Sequence, residues 1–196
     1  MVTERKGALN IYLLLYNAVQ FVGWSYILSI FALYLQESGT YIGVWPYIAT
    51  PLKIFQTLAM LEIINSALGF VPSPLFTTAM QILARNFFVW LVLSQYPETH
   101  SNIGLPMILI SWTFSEIPRY LYYALNVLKL SPYFVTWSRY SFFIVTQPLG
   151  VLGEMILICS LLLKQKRDLL NPLNYTIIEY IMILSMLSSF YGLSPQ

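Results

Sequence analysis

The sequence predicts an all-α polytopic membrane protein, a bundle of six transmembrane helices, and three observations carry that prediction. The 196-residue chain is 58% hydrophobic and 9% charged, with a mean hydropathy of +0.67, whereas a soluble domain carries roughly 25% charged residues. From Gly7 to Gln36 there is no Asp, Glu, Lys or Arg, a stretch longer than the roughly 20 apolar residues that cross a hydrocarbon core. Apolar segments then recur along the chain, separated by clusters of Gly, Pro and polar residues.

The first span is expected over Leu9–Leu35. It is too long for the apolar region of a signal peptide, about 7–15 residues, and no small-residue cleavage site precedes a soluble domain, so it is expected to stay in the mature protein. After ESGTYIGVWP comes a second span, Ala49–Val71, ending at the helix stop VPSP. The third is Phe76–Tyr96, closed by PETHSN, and the fourth is Ile103–Val127, followed by the short loop LKLSP. The fifth, Tyr133–Leu163, is long for one crossing and contains Pro148, which predicts a kink or strong tilt. The sixth is Tyr175–Leu193. Short loops leave a single membrane domain over 1–196, with no repeat or low-complexity tract.

One Cys and one His exclude a disulfide framework and a His/Cys metal cluster, which need several converging ligands. Cys159 lies in the apolar run MILICSLLL and reads as a core or lipid-facing thiol, and His100, in QYPETHSNIG, reads as a loop histidine. No GxGxxG, Walker-type loop or basic tract is present, which removes nucleotide and nucleic-acid partners from consideration. The positive-inside rule gives a tie. With a cytosolic amino terminus, Arg5, Lys6 and Lys129 fall inside, while Lys164, Lys166 and Arg167 fall outside with the sequon Asn174-Tyr175-Thr176.

Several ionisable residues sit at depth in the predicted spans, among them Glu62, Arg85, Glu116, Arg119, Arg139 and Glu154, and these six are three of each sign. An unpaired charge at bilayer depth is strongly disfavoured, so the balance predicts pairing between helices. Glu116 and Arg119, spaced i,i+3, predict an ion pair on one helix face. Arg139, near the start of its span, is placed to snorkel to headgroups. Glu154 differs, since it is deep in its span and follows a helix-bending element, YSFFIVTQPLGVLGE over Tyr140–Glu154.

At about 100° per residue, positions 147, 150, 151 and 154 share one helix face over roughly 10 Å. Gln147 and Glu154 then flank a groove opened by Gly150, wide enough for a thin acyl chain with a polar group at each end. Tyr140 is close to that face but roughly 21 Å from Glu154. The competing reading is a kinked helix whose Pro and Gly permit close packing, with Glu154 paired to an arginine.

Four ordered blocks, YNAVQFVGWSYIL, LEIINSALGFVPSP with QILARNFFVW, WTFSEIPRYLYYAL and PYFVTWSRYSFFIVTQPLGVLGE, cover nearly the whole chain. In these the sequence resembles the very-long-chain (3R)-3-hydroxyacyl-CoA dehydratases, also called protein-tyrosine-phosphatase-like proteins. The resemblance implies a six-helix protein of the endoplasmic reticulum membrane. Its reaction would be the third step of fatty-acid elongation, loss of water from a 3-hydroxyacyl-CoA to give the trans-2-enoyl-CoA. It implies an acyl-CoA substrate, no cofactor, membrane lipid around the bundle, and other elongase subunits as partners: the condensing enzyme, the ketoacyl reductase and the enoyl reductase.

Elimination needs a base for the C2 proton and an acid for the C3 hydroxyl, and burial strengthens a carboxylate as a base. The family pattern is Tyr-Pro-x-Gly-x-x-x-Glu. This chain keeps Glu154, Pro148 and Gly150 and has Gln147 where the tyrosine stands. An amide donates a hydrogen bond but relays no proton at a useful pKa. Glu154 and Gln147 are therefore the catalytic-site candidates. Arg119, Glu116, Arg85, Tyr120, Tyr140, Gly150 and Asn65 are candidates for substrate binding or structure, and Tyr120, Tyr122 and Tyr123 are candidate substitutes for the missing acid.

Asn65 stands where many relatives have histidine. Ser66, Gly69 and Pro72 occupy the phosphatase-like stretch, which has no cysteine and has proline where a phosphate-binding arginine is needed, so phosphatase chemistry is unsupported. Relatives commonly continue into a basic cytosolic tail, whereas this sequence stops at LSPQ. Two function classes follow: a dehydratase of reduced or altered activity, and a non-catalytic member that binds acyl-CoA or scaffolds the elongase. A small transporter with Glu154 in its pathway is the remaining reading.

Overall fold

The computed structural model describes residues 2–130 and 132–168, and every element among them is helical. The helices are α1 (Val2–Ser38), α2 (Trp45–Leu58), α3 (Leu61–Ala67), α4 (Leu75–Phe87), α5 (Gly104–Val127) and α6 (Tyr133–Asp168). A π-helical turn, Phe88–Leu93, continues α4, and a 3-10 turn, Pro97–Ser101, leads to α5.

Helix α1 contains 37 residues, about 55 Å at 1.5 Å per residue, and it stops where Gly39 adopts a left-handed φ of +67° and its N–H reaches Leu35 O at 3.0 Å. The chain then turns back, so α2 and α3 run antiparallel to α1. They form a single expected span broken at Ala59–Met60 into two helices. The third expected span is likewise split into α4 and the π turn, in which the Ser94 N–H bonds to Val89 O at 3.0 Å, five residues back. Helix α6 runs unbroken across Pro148.

Among the described residues four stretches are long and apolar enough to cross a bilayer: Gly7–Ser38, Trp45–Ala67, Leu75–Leu93 and Tyr133–Lys164. Their side chains are arranged as lipid requires. On α1 the polar Asn17 and Gln20 are buried, while Leu15, Val19, Val22 and Tyr26 point outward. Apolar side chains cover the outside as well as the core, and amides are kept inside, the arrangement a membrane protein requires. Helix α5 is 24 residues long and packs mainly against α1 and α6, with Glu116 and Arg119 inside. The expected sixth span, Tyr175–Leu193, lies outside the described residues, as do the sequon at Asn174 and the end of the chain.

The apolar core occupies the half of the bundle that contains the α1–α2 turn. It is built from Trp24, Ile27 and Phe31 of α1, Ile48 and Leu52 of α2, Val89 and Val92 of the π turn, Ile108 and Trp112 of α5, and Leu157 and Leu161 of α6. At that end His100 stacks on Trp45, with centroids 4.5 Å apart, and its ring nitrogen lies 2.7 Å from Leu93 O. Lys164 Nζ donates to Glu98 at 2.6 Å, and this hydrogen bond holds the Glu98 carboxyl below the usual carboxylate range. The pair is half-exposed and worth about 0–1 kcal/mol. That contribution is present above the unfolded carboxylate's pKa and disappears as pH falls through the lowered folded value. Cys159, the single cysteine, is exposed.

Helices α5 and α6 touch backbone to backbone where Gly104 meets Gly153. A Cβ on Gly104 would lie 2.6 Å from Gly153 O, and one on Gly153 would lie 3.0 Å from Gly104 O. Gly104→Ala is therefore expected to destabilise the protein by about 1–3 kcal/mol, the usual range for overpacking. Gly7→Ala, where a Cβ meets nothing within 4 Å, is expected to leave the midpoint unchanged or raise it slightly, since alanine favours a helix interior. Thermal unfolding of the two variants in one detergent checks both.

Candidate functional site

Four of the charges that the sequence places at bilayer depth, Glu62, Arg85, Glu116 and Arg119, converge between α3, α4 and α5. Arg119 extends a fork to Glu62, with Nη1 to Oε2 at 2.8 Å and Nη2 to Oε1 at 3.0 Å. The same guanidinium holds Glu116, with Nε to Oε2 at 2.8 Å. On its other side Glu116 accepts from Arg85 Nη1. Two carboxylates and two guanidinium groups thus alternate in one neutral chain, Arg85–Glu116–Arg119–Glu62.

Hydroxyls complete the satisfaction of Glu62. Tyr120 donates to Oε1 at 2.5 Å and Tyr16 donates to the same oxygen at 3.3 Å, while Gln20 donates to the Tyr16 oxygen at 3.3 Å. Tyr12 donates to Asn65 Oδ1 at 3.0 Å. The network therefore ties α1 and α3 to α5. The expected i,i+3 pair of Glu116 and Arg119 is present, and Asn65 is buried beneath Tyr12, apart from Glu154. Removal of Arg119 as Arg119→Met leaves part-buried Glu62 with no guanidinium and buried Glu116 with Arg85 alone. That change is expected to cost about 3–5 kcal/mol, read as loss of folded protein in detergent.

The second group lies where α5 crosses α6. Gln147, Gly150, Val151 and Glu154 of α6 line one cleft with Ala84 and Arg85 of α4 and with Ser111 and Trp112 of α5. Positions 147, 150, 151 and 154 thus share one face of α6, the face that a 100° helical repeat gives them. Glu154 is 9% exposed. Arg85 shares the cleft with it while its Nη1 bonds Glu116, and its guanidinium carbon lies 5.5 Å from the centre of the Trp112 ring. Arg85 thereby belongs to both the ion network and the cleft.

The groove expected at Gly150 is filled. Ser111 Oγ sits where a Gly150 Cβ would come within 2.5 Å, and it donates to Thr146 O at 2.6 Å. Only about 20 Å³ of the cleft is open to the centre of a water molecule, enough for a water and far too little for an acyl chain. Glycine here lets α5 approach, and the helix takes the space that a groove would need. Sequence reasoning did not single out Ser111. Its signal was a pair of small hydroxyls four residues apart, Ser111 and Ser115, in an otherwise apolar helix face; Ser115 Oγ meets Thr146 Oγ1 at 2.8 Å.

The proposed tyrosine substitutes stand elsewhere. Tyr120 serves Glu62. Tyr122, Tyr123 and Tyr140 surround Arg139, whose guanidinium carbon lies 4.4, 4.7 and 5.5 Å from their ring centres, and Arg139 Nη2 donates to Tyr123 Oη at 3.1 Å. No tyrosine is among the residues lining the cleft. Among the described residues no group of three His, Cys, Asp or Glu side chains is placed to hold a metal ion.

The profile of the family described as "Protein tyrosine phosphatase-like protein, PTPLA" matches residues 56–195. The chain belongs to this family. Similar proteins include very-long-chain (3R)-3-hydroxyacyl-CoA dehydratase 1 of Canis lupus familiaris, 33% identical over 98% of this chain and 80% of that protein. Dehydratase 2 of Homo sapiens is 35% identical over 94% and 75% of the two chains, and a dehydratase of Caenorhabditis elegans is 42% identical over 74% and 67%. No solved structure matches the chain. Despite the family's phosphatase-like name, the cleft of this PTPLA protein contains no cysteine.

Proposed function

We propose that this PTPLA protein dehydrates very-long-chain (3R)-3-hydroxyacyl-CoA to the trans-2-enoyl-CoA in fatty-acid elongation. The observation that carries the reading is the grouping of Gln147, Gly150 and Glu154 with Arg85 in one buried cleft, in a chain whose relatives carry that dehydratase name over most of their length. In this reading α5 and the segment Tyr175–Leu193 complete a six-span bundle in the endoplasmic reticulum membrane, beside the condensing enzyme and the two reductases of the cycle.

Loss of water requires a proton to leave C2 and another to reach the departing hydroxyl on C3. Among the cleft side chains Glu154 has an acid–base range that suits this transfer, since guanidinium, amide and aliphatic hydroxyl groups do not titrate near neutral pH. Gln147 orients a substrate oxygen through its amide hydrogens. The narrow cleft requires α5 and α6 to part at Ser111 and Gly150 as the acyl chain enters.

One observation favours a second reading. Gln147 occupies the tyrosine position, and no tyrosine replaces it in the cleft, which fits a non-catalytic member that binds acyl-CoA or scaffolds the elongase. The two readings separate in an assay of 3-hydroxyacyl-CoA dehydration by the purified chain. A dehydratase shows slow turnover that is lost in Glu154→Ala and rises about 10²–10⁴-fold in Gln147→Tyr, the usual worth of an acid–base group. The scaffold shows no turnover until Gln147→Tyr supplies it. Turnover indifferent to Glu154→Ala contradicts the dehydratase site.

A further inference from the structure

Two of the arginines inside the expected spans hold carboxylates, and Arg139 is different. Among the described residues it has no acidic partner: its contacts are the faces of Tyr122, Tyr123 and Tyr140 and the hydroxyl of Tyr123. Aromatic faces stabilise a guanidinium but leave its net charge in place. Arg119 also lies against Tyr123, at 6.0 Å, but its charge is balanced by Glu62 and Glu116, so the positive charge at this site is that of Arg139. Arg139 sits two turns into α6, opposite the last turns of α5, and so near the end of the bundle marked by the α5–α6 turn. A half-buried guanidinium with free donors and a tyrosine hydroxyl beside it suits a phosphate.

Its position relative to the cleft is specific. From Arg139 to Gly150 is eleven residues, which at 100° per residue returns to within about 20° of the same direction, at a rise of about 17 Å. The pantetheine arm of coenzyme A, from sulfur to its phosphate-bearing oxygen, has about twelve bonds, or about 14 Å at the extension of a peptide chain. Adding the bonds from sulfur to C2 brings the reach to the separation between Arg139 and the Gln147–Glu154 face. Between them lie the Thr146 and Ser115 hydroxyls.

We propose that Arg139, with Tyr123, binds a phosphate of the substrate's coenzyme A while the acyl C2 and C3 lie at Gln147 and Glu154. This rests on the reading of the cleft as an acyl-CoA site, and it places the α5–α6 turn on the membrane face where acyl-CoA is dissolved. The same phosphate chemistry is offered by a lipid headgroup.

The test uses the full chain in nanodiscs, with a long-chain 3-hydroxyacyl-CoA and the same acyl chain on pantetheine, which lacks the phosphates. Arg139→Gln is expected to weaken acyl-CoA binding about 10- to 100-fold, as loss of a charged hydrogen bond does. It should leave the pantetheine thioester unchanged, which also shows that the variant is folded. Arg139→Lys should recover part of the loss. Equal acyl-CoA affinity in the unmodified chain and Arg139→Gln overturns the proposal and leaves the dehydratase reading standing. Equal loss of both thioesters assigns Arg139 to the fold and also overturns it. If Arg139→Gln alters only the retention of phosphatidylglycerol, the phosphate is a lipid's. If the unmodified chain binds neither thioester, the acyl-CoA reading falls with the proposal.

Discussion

Arg119 holds two carboxylates at once in a molecule whose exterior is apolar, and the position of α5 follows from that. Removing one unit charge from water costs several kcal/mol, and the cost is recovered only where partners and geometry are complete. Here they are. The guanidinium presents one edge to Glu62 and another to Glu116, and Arg85 and Tyr120 take up remaining carboxylate oxygens. Because Glu62 lies on α3, Arg85 on α4 and Arg119 on α5, the rotation of α5 about its axis is set by charges, where lipid-facing packing alone would allow it to slide.

That rotation determines what α5 presents to α6. With Glu116 turned toward α4, Ser111 faces Gly150, and one helical turn further on Ser115 faces Thr146. Gly104 and Gly153 fix the crossing at the other end. The cleft containing Gln147 and Glu154 is what remains between these contacts, with Arg85 as the link between the ion network and the cleft. A network with no net charge can thus control the geometry of an acid–base site without contributing a proton.

Much of this was legible in the sequence. The equal numbers of buried acids and bases foretold pairing, and the spacing of Glu116 and Arg119 foretold one pair. The shared face of positions 147, 150 and 154 followed from helix geometry. What could not be read was which helix faces which. The Glu62–Arg119 pair joins residues 57 apart, and sequence spacing has no bearing on such a contact. The same holds for Tyr120, a candidate proton donor that proves to serve Glu62, and for Gly150, where a groove was expected and Ser111 fills the space. Arg139 was expected to snorkel toward headgroups, and the three tyrosine rings it lies against could not be read from spacing alone. The break at Ala59–Met60 and the π turn after Phe87 left no Pro or Gly signal at their positions.

The packing of α5 on α6, and its dependence on Arg119, is tested most directly by cross-linking. Ser111→Cys and Gly150→Cys, introduced together with Cys159→Ala, place two thiols where the Ser111 Cβ lies 3.2 Å from a Cβ built at Gly150, close to disulfide spacing. Mild oxidation is expected to form an intramolecular disulfide in high yield, and the yield should collapse when Arg119→Met is added. Failure to cross-link in the otherwise unmodified chain would contradict the contact. Full cross-linking without Arg119 would show that α5 is held in place by something other than the buried charges.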